Sequence, residues 1–256
     1  MLGSHWVTAT CDRVGYHRNG QPNRVSTGTI IRMTTECTFV FADLAGYTAL
    51  TEVHGDDDAA RIATRFHDLA RGCLAAGARI VKTIGDAVMI VSPTVSDGIE
   101  MALALVRTVA REPSFPGLRV GLHVGTAVER DNDYFGGAVN LAARVSGVAR
   151  AGEILCTEPI AAIAVERGIA CSQPLGTFRL KNIASSVSLY RLGGEAIGGL
   201  LCHIDPVCRM QVASDAADHV EFQGTTIYFC STVCLRIFQQ APDTHVPTID
   251  PAAPTP

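Results

Sequence analysis

The stretch Thr38-Phe39-Val40-Phe41-Ala42-Asp43-Leu44-Ala45-Gly46-Tyr47-Thr48 runs from an apolar, β-branched and aromatic segment into a single carboxylate followed by small residues. The first part reads as a buried strand. Leu44, Ala45, Gly46, Tyr47 and Thr48 then read as the turn from that strand into a helix, where backbone N–H groups suit phosphate. A second carboxylate, Asp86, lies in Lys82-Thr83-Ile84-Gly85-Asp86-Ala87-Val88, a tight turn between two β-branched runs. An acid at a strand end and an acid at a hairpin turn can converge on one point. Two convergent carboxylates make a site for hard divalent cations that also holds a polyphosphate. Taken singly, each Asp is better read as a cap or a turn residue; together, in these settings, the metal reading is stronger.

Around this stretch, residues 36–192 alternate strands and helices. The pattern predicts a strand at 38–41 and a helix at 56–76, with Ile62, Phe66, Leu69 and Cys73 on one face and Asp56 or Asp57 as cap. Strands follow at 79–83 and 87–91. The helix at 97–110 fits a capping box of Asp97 and Glu100 and stops before Pro113. A strand at 118–128, a helix at 137–149, a strand at 153–156, a helix from 158 and a closing pair at 176–180 and 187–192 complete the unit. The first six elements run strand, helix, strand, strand, helix, strand. That is the ferredoxin-like order, a mixed α+β fold.

The 256 residues, 47% of them hydrophobic, have room for one substantial domain and a small one. Residues 1–34 are polar and aperiodic and are expected to form a disordered tail. The main domain spans 35–192, a Gly-rich linker 193–200, a small Cys-bearing unit 201–245, and a disordered tail 246–256. No apolar run approaches the ~18 residues of a membrane helix, and the N-terminus lacks the order of a secretory signal. A cytoplasmic protein with no membrane partner is expected. Net charge is −4; residues 201–256 carry two Arg against six Asp or Glu, and residues 1–34 four Arg against one Asp. No segment bears the basic stripe that binding to a phosphate backbone needs, which argues against a nucleic-acid partner. Nine Cys without a secretory signal argue against a disulfide framework. Cys202, Cys208, Cys230 and Cys234 cluster near the C-terminus and suggest a soft-metal site.

Further candidates lie between the two acids and the linker. Asn140 and Arg144 share a helix face at i, i+4. An amide and a guanidinium so placed suit a ribose and a developing phosphorane charge, against the plain alternative of a solvated face. Lys82 and Arg119 interrupt apolar strand runs, with solvent exposure as the default reading. His123 reads as a structural histidine.

Together these pieces resemble the class III nucleotidyl cyclase catalytic domain. The matching segments are Phe41 to Thr48, Lys82 to Asp86, Arg119-Val120-Gly121-Leu122-His123-Val124-Gly125, Asp133 to Arg144, and Leu180-Lys181-Asn182-Ile183. The resemblance implies cyclisation of a nucleoside triphosphate with two Mg²⁺ or Mn²⁺ ions per site and release of pyrophosphate. By position, it implies Asp43 and Asp86 as metal ligands, Asn140 as the ribose-orienting residue and Arg144 as the transition-state stabiliser. It implies Lys82 and Asp133 as the base-reading pair, and Arg119 and Lys181 as triphosphate contacts. A Lys can donate to adenine N1 and an Asp can accept from the 6-amino group, so this pair points to ATP. In such cyclases the site lies between two catalytic domains. A chain carrying both half-sets is expected to form a head-to-tail homodimer. The rival readings are a cyclase-like module that binds nucleotide with little turnover, a guanylate cyclase, and a diguanylate-cyclase-type palm enzyme.

The small unit, with Asp205-Pro206-Val207-Cys208-Arg209-Met210, Tyr228-Phe229-Cys230-Ser231 and Cys234, resembles a YHS domain, a module related to treble-clef metal sites. Cys208, Cys230 and Cys234 would then hold Zn²⁺ or another soft ion. The fourth position is open to Cys202, His203, Asp205 or water. The open readings are a permanent structural metal, a metal or redox sensor, and three reduced thiols with no metal.

Overall fold

In a computed structural model of the chain, the described residues are 5–9, 15–16, 22–23, 30–193, 202–213 and 218–245. The linker, apart from residue 193, and the tail at 246–256 lie outside them. Within 1–34, short strands β1 (His5–Ala9), β2 (Gly15–Tyr16) and β3 (Pro22–Asn23) precede β4 (Ile30–Leu44), and β1 pairs antiparallel with the start of β4. The order continues with α1 (Tyr47–His54), α2 (Asp56–Gly72), β5 (Arg79–Ile84), β6 (Ala87–Ser92), α3 (Val95–Val109) and β7 (Leu118–Arg130). Then come β8 (Asp133–Phe135), α4 (Gly137–Ser146), β9 (Glu153–Thr157), α5 (Glu158–Glu166), β10 (Ser172–Phe178) and β11 (Val187–Leu192).

The main sheet has the order β10-β11-β9-β7-β4-β6-β5. Its central part, β7-β4-β6-β5, is the ferredoxin-like arrangement expected from the element order. All pairings are antiparallel except β7 with β9. Side chains of β4 alternate between the two faces. Val40, Ala42 and Leu44 pack with Phe66 of α2, Ile99 and Leu105 of α3 and Ile160 of α5. Phe39 and Phe41 pack instead with Met89, Tyr134 and Val139, on the face covered by α4. By this alternation Asp43, two residues after Phe41, points to the α4 face. Phe39 and Phe41 on one face and Val40, Ala42 and Leu44 on the other are what let β4 be buried on both sides.

Two local expectations need correction. The helix expected at 56–76 runs from Asp56 to Gly72, and a separate short helix, α1, precedes it. Gly55 (φ 85°, ψ 169°) breaks them, and the side chains of Asp56 and Asp57 make no capping bond. The start of α3 is set by Thr94, whose Oγ1 accepts from the Asp97 N–H at 3.1 Å. Thr94 is the N-cap and Asp97 the N3 residue, three positions earlier than the box expected from Asp97 and Glu100.

The C-terminal unit comprises the hairpins β12 (Cys202–Ile204) with β13 (Gln211–Ala213) and β14 (Asp218–Phe222) with β15 (Thr225–Phe229), then α6 (Thr232–Gln240) and α7 (Pro242–His245). It packs firmly on the first. Val207, Met210, Phe229 and Phe238 share a buried cluster with Leu50 of α1 and Ala59 of α2. The Gln211 N–H donates to the Phe115 carbonyl at 3.0 Å, and Met210 bridges to Pro116.

Candidate active site

β4 lies between β6 and β7, and that position assembles the acidic centre. Asp43 is in register with Ala87 on one side and Arg119 on the other. Asp86, just before Ala87, turns back over the end of β4, and its carbonyl accepts from the Leu44 N–H at 3.3 Å. The Asp86 side chain lies close enough to the Asp43 carboxyl to act on its charge. The Asp43 carboxyl is pushed up to about 7, first by burial and then by Asp86, with Arg119 acting in the opposite direction. Arg119 is ion-paired with Asp43, and its Nε is buried without a hydrogen-bond partner. Two carboxylates in a partly buried place, balanced by one guanidinium, form a donor set of the hard oxygen type that Mg²⁺ and Mn²⁺ prefer.

The turn after Asp43 offers fewer donors than its sequence suggests. The Leu44 N–H is committed to Asp86, and the Ala45 N–H donates to the Gly117 carbonyl at 2.8 Å. These two residues therefore cannot give their N–H groups to phosphate while the sheet is intact. The first intrahelical bond of α1 runs from Leu50 to Gly46, so the N–H groups from Gly46 to Ala49, those of Tyr47 and Thr48 among them, have no acceptor within the helix. Gly46 holds φ 79°, a left-handed value that favours glycine.

Lys82 and Asp133 meet. Lys82 Nζ lies 2.8 and 2.7 Å from the two Asp133 carboxylate oxygens and 5.8 Å from the centre of the exposed Phe135 ring. Asp133 also accepts from the Tyr134 N–H at 2.7 Å. The Lys82 hydrogen bond is the main reason the Asp133 carboxyl falls below the usual carboxylate range.

Asn140 and Arg144 are exposed on the outer side of α4. The inner side, with Ala138, Val139, Ala142 and Val145, is buried on the sheet. Neither residue has a hydrogen bond or ion pair with Asp43 or Asp86 among the described residues. Lys181 is exposed beyond the buried Leu180. One chain thus joins Asp43 to Arg119 and Lys82 to Asp133, while Asn140, Arg144 and Lys181 stand apart. His123 Nδ1 lies 2.8 Å from Thr157 Oγ1, in keeping with a structural histidine.

The thiols of the C-terminal unit also converge. Cys208 Sγ is 3.3 Å from Cys230 Sγ, which is 3.6 Å from Cys234 Sγ. Hydrogen bonding, first from Cys208, holds the Cys230 thiol down to about 2. Asp205, one candidate for the fourth ligand, is occupied otherwise. Its carboxylate oxygens accept from the N–H groups of Val207 at 2.8 Å and Cys230 at 2.8 Å, and so tie the two Cys loops together. His203 stacks on Tyr228 with ring centres 3.9 Å apart. The Cys202 side chain lies outside the described residues. Sequence reasoning missed His54. It ends α1, and its Nε2 lies 3.6 Å from Cys230 Sγ and 3.9 Å from Cys234 Sγ. No spacing rule links it to the cysteines.

Comparison with known proteins agrees with this architecture. Residues 31–193 match the family described as adenylate and guanylate cyclase catalytic domain, and residues 203–248 match the YHS domain. A pH-sensitive adenylate cyclase of Mycobacterium tuberculosis is 42% identical over 125 residues, which are 49% of this chain and 32% of that protein. An adenylate cyclase of Streptomyces coelicolor is 39% identical over 110 residues, 43% of this chain and 29% of that protein. The matched stretches thus span about a third of these relatives. Among solved structures, an adenylate/guanylate cyclase/hydrolase from Silicibacter pomeroyi superposes with a TM-score of 0.58 at 28% identity, covering 63% of this chain and 98% of that one. Adenylate cyclases of Trypanosoma brucei in their monomeric state share the fold, with a TM-score of 0.56 at 23% identity over 61% of this chain and 87% of theirs. The chain belongs to the class III adenylyl and guanylyl cyclase catalytic domain family and carries a YHS domain after it.

Proposed function

We propose that the catalytic unit converts ATP to 3′,5′-cyclic AMP and pyrophosphate at sites shared by two copies of the chain. The observation that carries this reading is the meeting of Asp43 and Asp86 at the end of β4. Their closeness and the raised Asp43 carboxyl describe a pair short of positive charge. Bound Mg²⁺ or Mn²⁺ would supply that charge and activate the 3′-hydroxyl while steadying the departing pyrophosphate.

The chain's own residues provide the rest. Asp43 and Asp86 hold the ions. Arg119, relieved of Asp43, turns to the triphosphate, and the Tyr47 and Thr48 N–H groups meet it from the start of α1. Lys82 donates to adenine N1 and Asp133 accepts from the 6-amino group. Asn140 orients the ribose. Arg144 stabilises charge as the phosphorus becomes five-coordinate. Lys181 adds a further phosphate contact.

Two observations support the shared site. Asn140 and Arg144 are exposed and, among the described residues, make no hydrogen bond or ion pair with the acids of their own chain. On the α4 face, Phe41 and Val81 are only partly buried, and Ile84 and Phe135 are large exposed apolar residues. A second copy placed head to tail over this face would cover them and bring its Arg144 towards Asp43 and Asp86.

The test is direct. Purified protein is incubated with ATP or GTP, with and without Mn²⁺, and the products are identified. Cyclic AMP formed only with the divalent ion supports the proposal. Nucleotide binding without either cyclic product would replace it with a non-catalytic module, and cyclic GMP as the main product would overturn the base assignment. No helix among the described residues is long and apolar enough to cross a membrane.

A further inference from the structure

Four side chains that could ligate a soft metal come together where the catalytic unit meets the C-terminal unit. Cys208, Cys230 and Cys234 belong to the second unit and His54 to the first, and their ligand atoms all lie within 4.8 Å of one another. The edges measured are 3.3 and 3.6 Å between sulfurs and 3.6 and 3.9 Å from sulfur to Nε2. A tetrahedron with Zn–S near 2.3 Å and Zn–N near 2.0 Å has edges of about 3.5–3.8 Å. The cluster is therefore close to metal-ready as folded.

We propose that His54 is the fourth ligand of a closed Cys₃His zinc site, and that the metal fastens the YHS unit to helix α1 of the catalytic unit. Three features support it. Cys208 and Cys234 are fully buried, and three thiols are gathered with no disulfide among them. The competing ligand Asp205 is committed to backbone N–H groups. His54 sits at the last position of α1, where Leu50 and Val53 already pack into the C-terminal cluster. Four protein ligands leave no open coordination position, which marks a structural rather than a catalytic zinc. A d¹⁰ ion with no geometric preference of its own fits three thiolates and an imidazole. A cavity of about 380 Å³, lined in part by His54, Asp58, Met210 and Cys230, opens beside the cluster and gives the ion a way in.

The clamp is independent of what the catalytic unit turns over, but it bears on the same helix. α1 runs from the Gly46 turn to His54. Arg209, next to Cys208, lies against Gly46 at the other end of that helix. The C-terminal unit therefore holds α1 at both ends.

The experiment uses the full chain. Metal content is measured on protein as purified, and Co²⁺ is titrated into chelator-treated protein while its absorption is followed. One ion per chain with tetrahedral d–d bands is expected. His54→Ala should shift those bands and weaken binding by at least ~10-fold, and His54→Cys should restore tight binding with added thiolate charge-transfer intensity. Hydrogen exchange should show that metal removal exposes the amides of Tyr47–His54 as well as those of the YHS unit. Absence of bound metal would overturn the proposal. So would His54 variants with the wild-type spectrum and affinity, or α1 amides indifferent to the metal.

Discussion

Lys82 and Asp133, from β5 and β8, meet as an ion pair, with both Asp133 oxygens within 2.8 Å of Nζ. Each is partly exposed, so a base can enter between them without dismantling the core. The pair's polarity, donor on β5 and acceptor on β8, is the ground on which adenine is proposed as the base.

Reversing that polarity should change the substrate. Lys82→Glu combined with Asp133→Cys removes the donor to N1 and the acceptor for the amino group, and presents an acceptor suited to guanine N1–H. The ratio of cyclic GMP to cyclic AMP formed from equimolar ATP and GTP should rise at least ~10-fold, the scale of one exchanged hydrogen bond in a site built around it. An unchanged ratio would place base reading elsewhere.

Gly121 fixes how close α4 lies to the sheet. A Cβ there would overlap the Ser146 backbone nitrogen and stand 2.7 Å from the Ala142 carbonyl oxygen. Neither is a flexible side chain that can move aside. Gly121→Ala should cost about 1–3 kcal/mol of stability and displace Asn140 and Arg144 together. Thermal unfolding and cyclase rate should therefore fall in step. By contrast, a Cβ at Gly85 meets nothing within 4 Å and faces only the strain of φ 59°, so Gly85→Ala should have the smaller effect on stability.

Gly46 and Arg209 form the second close approach. A Cβ on Gly46 would collide with the Arg209 Cβ and Cγ, and φ 79° adds strain of about 1–2 kcal/mol. Arg209 itself holds φ 66°. Arg209→Gly should therefore be close to neutral, while Gly46→Ala should destabilise. The double variant should be less impaired than the two single effects predict. Chemical denaturation of all four proteins measures this coupling, and simple additivity would mean that the two residues do not press on each other.

His123 gives a pH dependence. Burial lowers its folded-state pKa below the ordinary histidine value. Above about pH 6.5 both folded and unfolded forms are neutral and stability is complete. As pH falls from there through the folded value, the unfolded chain takes up the proton first, so stability is lost on the acid side. His123→Gln should flatten the stability profile in that window and leave its shape above pH 7 unchanged. An unaltered acid-side slope would assign the loss to other groups.

Much of this was legible before any coordinates. The run Phe39-Val40-Phe41 ending in Asp43 could only be a buried strand with an acid at its mouth, and the Gly85-Asp86 turn sits where hydrophobic alternation resumes. The inner face of α4 was legible from Val139, Ala142 and Val145. What escaped depended on tertiary context. Tyr47–His54 is too short and too rich in β-branched residues to announce a helix. The start of α3 at Thr94, three residues before Asp97, depends on its hydroxyl meeting the Asp97 N–H. His54 lies 154 positions before Cys208, and only the docking of the two units joins them. The loss of the Leu44 and Ala45 donors likewise follows from hydrogen bonds to Asp86 and Gly117 that no local pattern encodes.

The most direct test of the shared site mixes two inactive proteins. On the proposed mechanism Asp43→Ala removes a metal ligand and Arg144→Ala the transition-state stabiliser, and each alone should lose at least ~100-fold in cyclase rate. In a head-to-tail dimer, a heterodimer of the two retains one intact site, so an equimolar mixture should recover about a quarter of wild-type activity. A mixture no more active than its components would contradict the placement of Asp43 and Arg144 in one site formed by two chains.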